Sequence, residues 1–251
     1  MPHRPYRRDV PGGKNAVLFL HGIVGTPDHF LPLLPLLPED CACSSLLLAG
    51  HGGSAQDFAK ASMAQWEDQV DSALSDLRVR YENVVIAGHS MGCLLAIRAA
   101  LADPCGLRAL FLLAPPLFID FRLRALRAPI RVGLDCIPED DEEAHWARAA
   151  CSIEPNRFLP VYLGWISKYA ALFALSRSTR KSVSRLAVPT MALFSARDEM
   201  VDSARSRERL LSCPLAQAET LAESTHLHYP PDDLVQVQDC FLGVLRAAGF
   251  C

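Results

Sequence analysis

Short, nearly uninterrupted apolar runs alternate along the chain with longer stretches in which apolar residues return every three or four positions. The runs are Ala16–Leu20, Ser45–Leu48, Val84–Ala87, Leu107–Leu113, Thr190–Phe194 and Leu215–Thr220. Their length predicts strands, and the middle four lack in/out alternation, as expected of strands covered on both faces. Ser62–Arg80 places Met63, Trp66, Val70, Ala73, Leu74 and Leu77 on one helical face, behind the capping-box pattern Ser62-x-x-Gln65. A second helix, Met91–Leu101, follows the third run directly. A third, Pro231–Ala248, opens on Pro and Asp, carries Leu234, Val237, Phe241, Val244 and Leu245 as its stripe, and meets Gly249 at its stop. Strands alternating with helices predict βαβ units, hence an α/β fold around a mostly parallel sheet of about six to seven strands.

One segment breaks this rhythm. Residues 115–184, about 70 in all, contain no convincing strand, and so long an interruption inside a compact domain is usually functional. It carries the apolar residues Phe118, Ile119, Phe121, Leu123, Leu126, Tyr162, Trp165, Ile166, Tyr169 and Phe173. The division expected is a core of residues 1–114 and 185–251 with 115–184 as a helical lid, in which Phe118 and Trp165 face the substrate. The acidic run Glu139–Glu143 reads as a solvated helix start rather than a metal site.

Composition narrows the class. With 251 residues, 50% hydrophobic and 21% charged, the chain is long and apolar enough to bury its own core. A net charge of −3 lacks the basic stripe a nucleic-acid partner would need. Ala16–Leu20 ends at His21 and Phe30–Pro38 is broken by three prolines, so no run approaches a membrane span and no stable insertion is expected. The first fifteen residues hold no apolar core of a secretory signal. Nine cysteines without metal-ligand spacing read as reduced thiols of a cytoplasmic protein, with no metal implied.

The candidate chemistry begins at Gly88-His89-Ser90-Met91-Gly92, a G-x-S-x-G pattern between a predicted strand and a predicted helix. A serine on such a turn has its hydroxyl pushed out at the carboxyl edge of the sheet, and a Cβ at position 88 or 92 would collide with its neighbours. Leu20–Thr26 (LHGIVGT), directly after the first strand, is a glycine-bearing loop able to turn its amides inward; His21 is expected to brace it. A nucleophilic serine needs a base and an orienting carboxylate. Asp198 is the first carboxylate after the strand Thr190–Phe194; Glu199 and Asp202 compete with it and are otherwise expected to be solvated loop charges. C-terminal to Asp198 the only histidines are His226 and His228, so one of them must be the base. Two residues apart in an extended loop, they would point the same way. His226 lies nearer the end of the last strand, and His228 is expected at a pocket rim.

His21–Thr26 (HGIVGT), Ala49–Gly52 (AGHG), Gly88–Gly92 (GHSMG), Ser195–Val201 (SARDEMV) and Glu223–His228 (ESTHLH), in this order and at these intervals, resemble the small bacterial carboxylesterases and monoacylglycerol lipases of the α/β-hydrolase superfamily. The likeness covers about residues 15–248 and is weakest in 115–184. It implies the α/β-hydrolase fold, Ser90 as nucleophile, Asp198 as acid, His226 as base, and the amides of Ile23 and Met91 as oxyanion hole. Thr225 stands where the family commonly has Gly, and Ile23 where it often has an aromatic residue. The N-terminal lead is short, leaving no room for two extra strands of larger relatives.

The function expected is a serine hydrolase of carboxylic esters that needs no cofactor and takes a small-molecule substrate with an apolar acyl group. A thioesterase, an acyltransferase or a C–C bond hydrolase could use the same three residues, because fold does not decide among them. A catalytically silent binding module would keep the fold and lose the reason to retain all three.

Overall fold

The computed structural model describes residues 3–120 and 127–250. Strands β1 (Tyr6–Arg8), β2 (Asn15–Leu20), β3 (Cys41–Ser45), β4 (Asn83–His89), β5 (Leu107–Leu113), β6 (Thr190–Ser195) and β7 (Ala216–Leu221) form one sheet in the order β1-β3-β2-β4-β5-β6-β7. β1 runs antiparallel to β3 and all other pairs are parallel. Helices α1 (Ala55–Lys60), α2 (Met63–Arg80), α3 (Met91–Ala102), α4 (Arg127–Gly133), α5 (Glu142–Ala150), α6 (Ile166–Ser182), α7 (Ser203–Leu210) and α8 (Pro231–Ala247) complete the fold.

Successive residues of the central strands feed two apolar layers. Ala16, Leu18 and Leu20 of β2 join Val84, Ile86, Leu110 and Leu112 on the face covered by α2 and α3. Val17 and Phe19 join Val85, Ala87, Phe111 and Leu113 on the face covered by α8. This double burial is the physical reason for the missing alternation. α2 buries the predicted stripe residues Trp66, Val70, Leu74 and Leu77, and the reciprocal Ser62/Gln65 capping box forms.

Three expectations are corrected. The third strand is Cys41–Ser45, not Ser45–Leu48. Small residues pair there with β2, whereas the Leu46–Leu48 run leaves the sheet, with His51 N donating to Leu48 O at 3.0 Å as the chain turns back. Leu48 is fully buried all the same, so the run marks burial rather than extension. Second, the six predicted strands lack β1 at the sheet edge, a single strand in the short N-terminal lead. Its charge hides it from a hydrophobicity pattern, as is usual for edge strands; Arg8 fastens it by donating to Pro38 O and Cys41 O. Third, α1 and α7 begin at polar caps the sequence reading passed over, Ser54 with Asp57 for α1 and Asp202 for α7.

Among the described residues, 115–184 adds no strand to the sheet. It contributes α4, α5, a 3-10 stretch at Leu159–Trp165, and α6. The acidic run does start a helix, but Asp141 is not merely solvated: it caps α5 by accepting from Ala144 N and pairs with Arg131. α6 carries Leu172 and Leu175 into the layer that holds α3, while Phe158, Leu159, Leu163 and Ile166 stand exposed. Phe121, Leu123 and Leu126 lie outside the described residues.

Candidate active site

β4 delivers the chain to Ser90, and α3 begins one residue later. Ser90 adopts φ 51° and ψ −119°, a strained conformation for a residue with a Cβ. The turn closes because its neighbours are glycines. A Cβ on Gly88 would lie 2.7 Å from the backbone carbon of Gly92, and one on Gly92 would lie 1.9 Å from Leu20 O. Gly92→Ala is therefore expected to cost about 3 kcal/mol or more, at the upper end for overpacking. A thermal melt would read this, and a wild-type Tm would refute the tightness of the turn.

Across the sheet edge, the loops after β6 and β7 bring Asp198 and His226 to this serine. His226 Nε2 lies 2.9 Å from Ser90 Oγ, and His226 Nδ1 lies 2.8 Å from Asp198 Oδ2. All three residues are buried. The other carboxylate oxygen of Asp198 accepts from Met200 N and Val201 N, both at 2.8 Å, which fixes the carboxylate plane. Burial alone would push the His226 imidazole to a lower pKa. The charge of Asp198, its hydrogen bond, and the charge of Glu199 outweigh burial, and the net shift is upward. The arrangement can take a proton from a hydroxyl and stabilise the imidazolium that forms.

His226 and His228 do not point the same way. A turn intervenes, with Thr225 N donating to His228 O and His228 N donating to Thr225 Oγ1. His228 stacks flat on Trp146, with ring centroids 3.8 Å apart. The Thr225 hydroxyl thus serves the turn. Glu199 and Asp202 are also not free loop charges: Glu199 Oε2 accepts from His226 N at 3.1 Å, and Asp202 caps α7.

Met91 opens α3, so its amide is one of the first-turn donors without an intrahelical acceptor. Ile23 follows Gly22, whose Cβ position would be 3.0 Å from Ser90 Cβ. Among the described residues neither amide donates to another backbone group. His21 braces this loop from both ring nitrogens, contacting Gly22 O at 2.8 Å and Leu48 N at 3.1 Å. Burial holds its pKa down to about 4, so the ring is neutral and accepts from Leu48.

The two residues expected to face the substrate make the following contacts. Phe118 lies between the guanidinium groups of Arg180 and Arg205, at 4.3 and 4.2 Å from its ring centroid. Trp165 donates Nε1 to Ala55 O and packs on Phe58. Phe58 in turn touches His51, and His51 touches His21, so a line of rings joins the 115–184 segment to the loop after β2.

Sequence reasoning missed three supports. His89 Nε2 lies 3.0 Å from His226 O. Glu199 holds the His226 amide. Asp233, in the first turn of α8, accepts from Ala222 N, Glu223 N and Ser224 Oγ, anchoring the loop just before His226. The Pro-Asp-Asp start of α8 signals a helix, but only the fold reveals which loop it grips. A cavity of about 600 Å³ lies beside Glu199, lined also by Glu143, Trp146, Arg197, Glu223 and His228.

A dihydrolipoyllysine-residue acetyltransferase component of an acetoin cleaving system, from Cupriavidus necator, is 33% identical over 109 residues, 43% of this chain. The match spans only 29% of that protein's length. Among solved structures, a carboxylesterase of Nitrososphaera gargenis superposes with TM-score 0.71 at 15% identity over 98% of this chain and 95% of that one. A monoacylglycerol lipase of Paleococcus ferrophilus does so with TM-score 0.69 at 15% identity over the whole of both chains. A haloalkane dehalogenase of Bradyrhizobium elkani reaches 0.64 at 16% identity, over 98% of each. At such identities these likenesses establish a shared fold, which hosts more than one chemistry. Residues 17–237 match the alpha/beta hydrolase family, and the chain belongs to that family.

Proposed function

We propose that this protein is a serine hydrolase of carboxylic esters. The observation that carries the reading is the unbroken relay from Ser90 Oγ to His226 Nε2 at 2.9 Å and from His226 Nδ1 to Asp198 at 2.8 Å, set on a glycine-flanked turn. Ser90 Oγ attacks the ester carbonyl while His226 Nε2 takes its proton. The oxyanion rests on the amides of Ile23 and Met91, preorganised donors of a kind worth roughly 3–4 kcal/mol each. His226 returns the proton to the leaving alcohol, and the acyl group stays on Ser90. Water, activated by the same imidazole, then releases the acid. Asp198 holds the imidazole in the productive tautomer through His226 Nδ1.

Ser90, whose hydroxyl is hydrogen-bonded to the His226 imidazole that would take its proton, is the group a fluorophosphonate probe would modify. Covalent labelling at Ser90, together with hydrolysis of p-nitrophenyl esters, is the expected result. Absence of both in folded protein would remove the reading and leave a binding module.

We also read residues 115–184 as a lid whose underside sets acyl preference. Its apolar content and the ring contacts from Trp165 through Phe58 and His51 to His21 support this. Trp165→Ala should change the ratio of octanoyl to acetyl ester turnover by about 5-fold or more, the size of a few lost methylene contacts. An equal loss on every ester together with a lower Tm would make Trp165 ordinary packing.

A further inference from the structure

The main chain of His226 is gripped at both ends by the sequence neighbours of the two residues that bind its ring. Ser90 and Asp198 contact the imidazole. His89, beside Ser90, reaches the His226 carbonyl at 3.0 Å, and Glu199, beside Asp198, accepts from the His226 N–H at 3.1 Å. We propose that Glu199 is a positioning residue for His226: its carboxylate holds the main chain of the base and places a second negative charge, beside Asp198, toward the imidazolium that forms during turnover. The proposal rests on the reading of Ser90, His226 and Asp198 given above.

Geometry sets the two parts of this role. A side chain that grips a peptide N–H fixes where the ring starts, and an error of about 1 Å in a reacting group can cost about 100-fold in rate. A carboxylate also acts at a distance. An anion within about 4–6 Å favours the charged form of an imidazole, and the charge of Glu199 adds to that of Asp198 at His226. Glu199 is only half-buried, and it borders the 600 Å³ cavity. The other charged and titratable groups lining that cavity are Glu143, Arg197, Glu223 and His228, and Arg197 is paired with Glu223. No cation there is left to neutralise Glu199 among the described residues. Burial, with some help from the charge of Asp198, pushes the Glu199 carboxyl upward; His226 opposes that shift through its charge and its N–H. On the other side of His226, His89 and the His29 stacked on it are held neutral by burial, His29 at about 3. The charges bearing on His226 therefore come from the acid loop.

The sign follows. An ionised Glu199 raises the pKa of His226, so removing its charge must lower it. Glu199→Gln keeps an oxygen to accept from His226 N and loses the charge. The acid limb of kcat/KM should then move to lower pH by about half a unit or more, with a plateau rate within about 10-fold of wild type. Glu199→Ala loses both contributions and should fall further, by about 10- to 100-fold in kcat, with KM for p-nitrophenyl acetate nearly unchanged. The NMR titration of the His226 imidazole in wild type and Glu199→Gln reads the same shift without requiring turnover. An acid limb and a His226 titration that stay in place in Glu199→Gln would overturn the proposal. So would equal losses in the Gln and Ala variants that track Tm, because that pattern belongs to packing alone. If wild-type protein is neither labelled at Ser90 nor active, the serine-hydrolase reading has failed and this inference with it. If wild type is labelled and active, unmoved variants overturn the role of Glu199 alone.

Discussion

Ser90→Ala is expected to lower ester hydrolysis by on the order of 10⁴-fold or more, while the protein stays folded. The loss is large because the nucleophile has no substitute: the relay from Asp198 through His226 ends on Ser90 Oγ. The three groups act as a unit, so losing one forfeits nearly all they do together. The fold should survive because the side chain makes one hydrogen bond, worth about 1 kcal/mol, and the turn is held by glycines rather than by the hydroxyl. Alanine keeps the Cβ and therefore the strain of φ 51°. Ser90→Gly should remove that strain and melt above Ser90→Ala, since glycine adopts positive φ freely. Wild-type turnover by either folded variant would end the serine-hydrolase reading.

His226→Ala should cut kcat by about 10³-fold or more, and His228→Ala by about 10-fold or less. The two residues are separated by a turn that aims one ring at Ser90 and lays the other on Trp146. The pH profile gives an independent check. Catalysis needs the neutral imidazole, and Asp198 and Glu199 raise the His226 pKa against the effect of burial. The acid limb of kcat/KM should therefore lie above the ordinary histidine value, with activity lost as pH falls through it. Reversed effects of the two substitutions would transfer the base to His228, and an acid limb below that value would contradict the charge balance around His226.

The alternation of apolar runs with helical stripes was enough to read the parallel sheet, because strands buried on both faces and helices with one buried stripe leave periodicities of their own. Ser62 and Gln65 announced the start of α2, and Gly88 and Gly92 announced the sharp turn, because each acts through bonds or clashes within a few residues. The placement of Ser90, Asp198 and His226 in loops that follow predicted strands was legible for the same local reason. What failed locally was extension: the Leu46–Leu48 run is buried yet leaves the sheet, and β1 is too short and charged to register in an apolar pattern.

The tertiary structure alone decided which groups surround the base. Glu199 and His226 are 27 positions apart, and His89 and His226 are 137 apart. Asp233 looked like an ordinary helix start until it was seen to hold Ala222 through Ser224, and the two arginines against the Phe118 ring come from α6 and α7, far from it in sequence. A hydrogen bond or a charge acts over a few ångströms of space whatever the length of chain between its partners. The sequence could therefore name the residues that do local work, and only the folded sheet edge could say which distant residues they do it with.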